Sequence, residues 1–360
     1  MTSQWPNNEL TKLLHLDFPI IQAPMSGYST PELVTSICYA GGLGSLGAGY
    51  MSPDEIRTAI EMIRLKTRKR FNVNLFCYKP PVCDQEIAMK AQNSLNPYRR
   101  KLGLKDRHDV PSLHFTFEDQ IEVIIQEKVP IFSFTFGIPS KKHIEDLKNN
   151  GTILIGTATN LEEVKALEKN HVDAIVLQGA EAGGHRGTFL GSFSDSLIGL
   201  MSLIPEARAI TRLPLIAAGG IMNAQGITAA LLLGAQGVQM GTAFLACVET
   251  GAPFCYRQAL LKLAKHPTVI TSAYSGRAAR VIKTSFLDEL EKLPIADYPY
   301  QNIMMGDIKK KSAELSSADL LPLYAGEGFP MISDRSSLEI FYDLAQSTSL
   351  LFKELRQNKP

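Results

Sequence analysis

The chain has 360 residues, 45% of them hydrophobic, and its mean hydropathy is −0.01. These values are typical of a globular protein with a large core, and they exclude a disordered chain. The 37 basic residues are balanced by 36 acidic ones, so no overall charge attracts nucleic acid, and no apolar run is long enough to predict a membrane span. Five cysteines without metal-type spacing, together with an N-terminus unlike a signal peptide, predict a cytoplasmic protein with reduced thiols and no metal site.

Eight short runs rich in apolar and β-branched residues alternate along the chain with amphipathic segments. The predicted strands are 20–24, 44–48, 71–76, 131–136, 153–157, 174–177, 215–218 and 237–240. The predicted helices between them include 31–40, 53–66, 117–128, 141–148, 161–169 and 227–233. Several of the strands are continuously apolar, as expected when helices cover a sheet. Eight such units within about 245 residues predict an α/β fold, a (β/α)8 TIM barrel, with a doubly wound open sheet as the alternative.

Two regions do not fit this repeat. Residues 79–112, rich in prolines and charges, are predicted to be an excursion between the third strand and its helix. Residues 247–321 are predicted to form a smaller, mainly helical lid over the barrel mouth, and residues 322–360 to return to the barrel with a closing helix at 336–355. We therefore expect a ligand-binding barrel at 1–246, followed by the lid and the C-terminal segment.

Most of the unusual motifs lie at the ends of predicted strands, where barrels of this kind build their active sites. The most specific are Gly219-Gly220 and Gly241-Thr242, which follow the seventh and eighth strands. Loops at these two positions recurrently bind phosphate through backbone N–H groups. Tight turns that need glycine are the structural alternative.

A glycine-rich loop at 178–187 follows the sixth strand and contains His185. Its glycines allow the backbone to approach a ligand closely, and histidine exchanges protons near neutral pH. These features predict an active-site loop, and a surface turn with a solvated histidine is the alternative. Asn74 and Gln178 are amides at the ends of apolar strands, where a buried amide needs a partner. An isoalloxazine or pyrimidine edge would satisfy both, as would neighbouring backbone groups.

The segment 42–47 formally matches the G-x-G-x-x-G pattern of dinucleotide-binding loops. A genuine fingerprint follows a strand and opens a helix, whereas this one follows a helix and leads through a strand. We therefore expect its glycines to let the second strand pass close to a ligand.

Taken together, these motifs resemble those of the nitronate monooxygenases, formerly called 2-nitropropane dioxygenases, which are FMN-dependent barrels. The resemblance extends from Pro19 to about Gly328 and rests on 21–25, 40–44, 72–74, 178–187, 218–221 and 239–242. It implies that His185 is the catalytic histidine. The FMN contacts implied by the family and by the rim position of the loops are Gln22, Ala23, Pro24, Met25, Asn74, Gln178, Gly183, Gly184, Gly219, Gly220, Gln239, Met240, Gly241 and Thr242.

One departure from the family pattern is visible. The family usually has a glutamine after its late Ala-Gly pair, and this chain has Glu327 there. A carboxylate beside a flavin would repel an anionic substrate. Either Glu327 points away from the flavin or the substrate preference differs.

The resemblance implies oxidative denitrification of an alkyl nitronate such as propionate 3-nitronate, with O2, to a carbonyl compound and nitrite. FMN supplies the electron chemistry in such a reaction. His185 would hydrogen-bond the nitro group and would be needed as a base only for a neutral nitroalkane. The expected partners are thus a small nitronate and O2, without nucleic acid or membrane, and the protein would be a monomer or homodimer. The alternatives are an FMN-dependent NADH:quinone or enoyl-thioester reductase on the same scaffold and a noncatalytic protein that binds flavin or phosphate.

Overall fold

The computed structural model describes residues 5–79 and 81–357. Its strands are β1 (Ile20–Gln22), β2 (Ser45–Gly47), β3 (Asn72–Phe76), β4 (Ile131–Thr135), β5 (Ile153–Ala158), β6 (Ala174–Gln178), β7 (Gly184–His185), β8 (Leu215–Ala218), β9 (Gly237–Met240), β10 (Thr268–Thr271) and β11 (Ala279–Ile282). Eight of them form one parallel sheet in the order β1-β9-β8-β6-β5-β4-β3-β2. A parallel bridge between Ile21 and Leu43, just before β2, closes this sheet into a barrel. The predicted TIM barrel is therefore confirmed.

Helices cover the outside of the barrel and form most of the lid. They are α1 (Glu9–Leu14), α2 (Pro31–Tyr39), α3 (Pro53–Lys66), α4 (Gln85–Ser94), α5 (Asn96–Lys101), α6 (Phe117–Gln126), α7 (Lys141–Asn149), α8 (Leu161–Lys169), α9 (Leu200–Ile210), α10 (Ala224–Leu232), α11 (Phe254–Lys262), α12 (Ser285–Leu290), α13 (Tyr300–Met304), α14 (Gly306–Glu314) and α15 (Ser337–Gln357). All six predicted barrel helices are present. The sequence did not predict α9, which contains Pro205 within its length. Within the described ranges, no helix is both long and apolar enough to span a membrane.

Two apolar layers make up the barrel core. One lies between the strands and the surrounding helices, and the other fills the barrel interior. At one end of the interior, α1 places the fully buried side chains of Leu10 and Leu14 against this inner layer. The opposite end, at the carboxyl ends of the strands, carries the loops.

Two distant parts of the chain pack together outside the barrel. Helices α4 and α5, within the predicted excursion, share an apolar cluster with residues 273–308. Buried Arg99 on α5 forms an ion pair with Asp307 on α14 at 3.0 Å. We accordingly propose that 79–112 and 247–321 act together as the lid.

Strands β10 and β11 form a hairpin that attaches the lid to the barrel. They pair antiparallel, and β11 also pairs with β7, placing Ala279 opposite His185 and Arg280 opposite Gly184. The predicted lid was mainly helical, and these strands were not expected in it. The prediction missed them because β11 pairs with β7, which lies more than 90 residues earlier in the chain.

The glycines at 42–47 serve packing within the barrel. A side chain on Gly44 would overlap the backbone of Val34 in α2, and one on Gly47 would meet the backbone of Met25 and Ser26. Gly47 thus lets β2 approach the loop after β1, and Gly44 lets α2 lie against the barrel. Neither glycine opens a helix as a dinucleotide fingerprint does.

Candidate active site

A cavity at the carboxyl ends of the barrel strands brings the predicted site residues together. Its walls come mainly from the loops that follow β1, β6, β8 and β9. Every predicted residue except Gln22 lines it. The other lining residues were not among the individually predicted contacts, and they are Ser26, Tyr28, Tyr50, Phe76, Ser133, Thr135, Phe136, Thr157, Val176, Ala182, Ala218, Ile221, Met222, Leu245, Tyr324, Gly326 and Gly328.

Gln22 lies inside the barrel wall rather than in the cavity. Its side chain is fully buried, and its Oε1 accepts a hydrogen bond from the Ser45 N–H at 2.9 Å. Its Nε2 donates to Ser29 Oγ at 3.2 Å and to the Ala23 carbonyl. Gln22 therefore ties β1 to β2 and supports the loop after β1 instead of contacting a ligand.

The loops after β8 and β9 form a cradle of backbone donors. Gly219 and Gly220 have φ values of +137° and +65°, which L side chains rarely adopt. In the described chain, the N–H groups of Gly219, Gly220 and Gly241 donate no hydrogen bond to protein. Thr242 Oγ1 accepts from the Gly326 N–H at 3.0 Å, which leaves its own proton free to donate. Unused donors at the edge of a cavity suit an anionic phosphate.

Three amide side chains line the cavity, and they differ in how much of their hydrogen bonding is used. Asn74 donates through Nδ2 to Ser133 Oγ at 2.8 Å, and its Oδ1 has no partner in the described chain. The side chain of Gln239 makes no hydrogen bond within the described chain. Gln178 instead donates to the His185 carbonyl at 3.0 Å and accepts from the Gly187 N–H at 2.8 Å. Gln178 thus stabilises its own loop, while Asn74 and Gln239 keep groups available for a ligand.

His185 is held at the cavity wall by the lid and by aromatic rings. Its Nε2 lies 2.9 Å from the hydroxyl of Ser275, which follows β10. The ring centroids of Phe76, Phe136 and Tyr298 lie within 6.3 Å of its own, and that of Tyr324 lies at 5.4 Å. These contacts exclude water from most of the imidazole.

Burial and nearby cations keep His185 uncharged. Desolvation is the larger cause, followed by the positive charges of Arg277 and Lys309, and together they lower the pKa of His185 from 6.5 to about 3. No acidic residue is among the described residues that line the cavity. At neutral pH the site thus presents a neutral imidazole in a positively charged environment.

Two buried arginines hold the glycine-rich loop beneath His185. Arg186 donates to the carbonyls of Gly179 at 2.6 Å and Gln178 at 3.0 Å. Arg280 donates twice to the Ala180 carbonyl, at 3.0 and 2.7 Å. Three consecutive carbonyls are therefore fixed by charged donors, which form stronger hydrogen bonds than neutral ones.

Glu327 does not face the cavity. Its carboxylate pairs with Arg280 at 3.0 Å, and the side chain is 51% exposed. Its neighbours Gly326 and Gly328 line the cavity, whereas Glu327 itself does not. Of the two explanations for this departure from the family pattern, the structure supports the first, because the carboxylate points away.

Ser275 and the aromatic residues around His185 were not predicted as site residues, because no local motif assigns them to this cavity. They come from β3, β4, the lid and the segment after it, and only the fold brings them together. A group of histidine, cysteine or carboxylate side chains suited to a metal is also absent among the residues that the structure describes.

Comparison with known proteins agrees with this geometry. A family model described as nitronate monooxygenase matches residues 7–346. The chain is 41% identical over 333 residues to a probable nitronate monooxygenase of Staphylococcus aureus (strain Newman), covering 90% of this chain and 92% of that protein.

Solved structures match the chain over nearly its whole length. A nitroalkane oxidase from Streptomyces ansochromogenes has a TM-score of 0.89 and 34% identity, covering 97% of this chain and 100% of that one. FabK from Thermotoga maritima has a TM-score of 0.76 and 28% identity, covering 98% of this chain and 100% of that one. The family match implies a flavin cofactor. From the family model and the relatives together, we conclude that the chain belongs to the nitronate monooxygenase family and is an oxidoreductase.

Proposed function

We propose that this protein is an FMN-dependent nitronate monooxygenase that converts alkyl nitronates, such as propionate 3-nitronate, with O2 to carbonyl compounds and nitrite. The observation that carries the proposal is the uncharged His185 at the cavity wall, close to the positive charges of Arg277 and Lys309. Such a site favours a small anion over a cation, and it favours a substrate that already lacks its α-proton.

The residues present fit FMN. Its phosphate would accept hydrogen bonds from the unused N–H groups of Gly219, Gly220 and Gly241 and from the hydroxyl of Thr242. A side chain on Gly219 would come within 3.0 Å of the Ala182 nitrogen, so the cradle requires glycine there. The bound flavin would supply the electron-transfer chemistry.

The protein's own groups would bind and orient the nitronate beside the flavin. The positive charges of Arg277 and Lys309 lie close enough to lower the pKa of His185, and they would stabilise an anion at the same place. His185 would donate a hydrogen bond to a nitronate oxygen. Phe76 and Phe136, stacked with their centroids 4.6 Å apart, would cover the alkyl part and exclude water.

The lowered pKa makes His185 a weak base. Proton abstraction from a neutral nitroalkane would create an imidazolium that burial and two cations oppose. We therefore propose preformed nitronates as the preferred substrates and nitroalkanes as poor ones.

Anaerobic titration of the purified flavoprotein tests the proposal. Propionate 3-nitronate should change the flavin absorbance without any added reductant, and should release nitrite once O2 is admitted. NADH alone should leave the oxidised spectrum unchanged, because the only G-x-G-x-x-G match serves packing. Rapid, saturable bleaching by NADH with no nitrite from nitronates would contradict the proposal and favour a reductase. Bound flavin without turnover of either substrate would favour a noncatalytic protein.

A further inference from the structure

Ser275 is a buried lid residue whose hydroxyl contacts the imidazole of His185. It is 1% exposed, and its hydroxyl oxygen lies 2.9 Å from His185 Nε2. The following residue, Gly276, has φ +82°, and a side chain there would overlap the backbone of Ala296 and Tyr298. The turn that carries Ser275 is therefore fixed against the rest of the lid.

The Ser275 hydroxyl has one proton and two acceptors within reach. Its oxygen accepts from the Arg277 N–H at 3.2 Å. Its proton can be donated either to the Arg277 carbonyl at 3.0 Å or to His185 Nε2 at 2.9 Å. The choice decides which nitrogen of a neutral His185 carries hydrogen.

The second ring nitrogen of His185 is the one that a ligand can reach. In the described chain, Nδ1 makes no hydrogen bond and is not among the buried atoms without partners, and the ring lines the cavity. If Ser275 donates to the Arg277 carbonyl, Nε2 holds the hydrogen and Nδ1 turns a lone pair toward the cavity. If Ser275 donates to Nε2, the hydrogen is on Nδ1 and can be donated to an anion.

We propose that Ser275 is a positioning residue that sets the tautomer of His185. With a nitronate bound, its hydroxyl donates to Nε2, so Nδ1–H donates to a nitronate oxygen while the imidazole stays neutral. A lone pair on Nδ1 would instead repel the anion. This inference rests on the proposed function, because the anion in question is the nitronate.

Nitrogen-15 NMR of the holoenzyme labelled at histidine tests the assignment directly. Nitrate serves as the probe, because it is a planar anion with the O–N–O group of a nitronate and no carbon to oxidise. It is added until the His185 signals no longer change, and those signals are the ones missing from His185→Asn. We expect the hydrogen on Nδ1 and an unprotonated Nε2 in the nitrate complex. Hydrogen on Nε2 in that complex overturns the proposal.

Substitutions separate positioning from stability. Ser275→Ala should give a mixture of the two tautomers and raise KM for nitronates roughly three- to tenfold, the effect of one neutral hydrogen bond, with a smaller change in kcat. Ser275→Thr retains the hydroxyl and should restore the Nδ1–H form. Ser312→Ala is the matched control, since Ser312 is a fully buried lid serine that donates to the Ser317 carbonyl at 2.9 Å. It should change neither the tautomer nor KM.

The same experiments distinguish this inference from the proposed function. If nitronates are oxidised but His185 carries its hydrogen on Nε2 in the nitrate complex, the role of Ser275 is wrong and the function stands. If the hydrogen is on Nδ1 and no nitronate is oxidised, the substrate is wrong and the role of Ser275 stands.

Discussion

Among the seven histidines of the chain, His185 is the one that lines the cavity described above. Burial and the two nearby cations lower its pKa to about 3, so its imidazole carries no charge at neutral pH. A histidine that acts as a base near pH 7 normally has its pKa near 7. His185 therefore suits hydrogen-bond donation to an anion better than proton abstraction.

Replacing His185 with asparagine should lower kcat/KM for nitronates roughly ten- to a hundredfold, the effect of losing one hydrogen bond to a charged group. Flavin content should not change, because no phosphate-cradle residue is altered. Since the pKa of His185 lies far below its ordinary value, the wild-type profile of kcat/KM for a nitronate should show no histidine inflection between about pH 5 and 8. Steady-state kinetics across that range measure both effects. A wild-type inflection near pH 6.5 that disappears in His185→Asn would show that His185 titrates there.

Single residues could be predicted from the sequence when a local motif marked them. His185 and the paired glycines at 219–220 stood in loops after strands, and the fold brings them to one cavity. Gln22 also stood at the end of a predicted strand, but its buried side-chain amide accepts a hydrogen bond from Ser45 in β2. Ser275 could not be predicted, because its role comes from a hydrogen bond to a residue 90 positions earlier.

At the scale of elements, the loops after β8 and β9 share a common property. Each places a glycine N–H group without a protein partner at the same edge of the barrel. The closeness of these two loops follows from the pairing of β8 with β9. Adjacent strands thus convert two short glycine motifs into one cradle.

Gly220→Leu should give a folded protein with little bound FMN. At φ +65° a side chain is strained, and its Cβ would lie 3.2 Å from the Glu181 Cβ, so the cradle would distort. Flavin absorbance relative to protein absorbance measures occupancy, and circular dichroism checks folding.

Gly234→Leu is the matched control for this variant. Gly234 also has a positive φ, +115°, but it follows α10 and its Cβ would meet the Arg208 side chain, away from the cavity. The Gly234→Leu variant should therefore keep its FMN. Full occupancy in folded Gly220→Leu would mean that the phosphate binds elsewhere.

Elements with a local signal were predicted well. Helix α3 occupies the predicted residues, with Ser52 and Glu55 forming a capping box. Helix α9 was missed because Pro205 interrupts its pattern. The hairpin β10–β11 was missed because its pairing with β7 is a long-range property.

For the whole molecule, the repeated βα units predicted the barrel, whereas the construction of the lid from two segments could not be read from the sequence. The clearest tie between the segments is Arg99, which is fully buried. Its Nε pairs with Asp307 at 3.0 Å, and its Nη2 donates to the Met304 carbonyl at 2.7 Å. Removing Arg99 is costly, because the Met304 carbonyl loses this donor and Asp307 loses one of the two arginines that compensate its charge.

Arg99→Met should destabilise the protein by about 3–5 kcal/mol and loosen the lid. Chemical denaturation measures the free energy of unfolding. Amide hydrogen exchange at α4, α5, α13 and α14 measures how readily these lid helices open. Arg107→Met is the control, since Arg107 pairs with the same Asp307 at 3.1 Å but is 54% exposed. Its effect should stay within about 1 kcal/mol. If both variants lost the same free energy of unfolding, the burial of Arg99 would add nothing to the stability of the protein.

The split lid also determines the order in which the protein can mature on the ribosome. The apolar face of α4 and α5, with Ala88, Leu95 and Tyr98, is covered by residues that begin at Ala273. Ala273 is made 175 residues after Tyr98 (273 minus 98), which at typical synthesis rates is a delay on the order of ten to thirty seconds. During that interval the early half of the lid has no covering partner, so nascent chains are exposed to aggregation and to chaperones at this face. All eight barrel strands end by Met240 and so emerge before Ala273, whereas the cavity-lining residues Tyr324, Gly326 and Gly328 emerge later still.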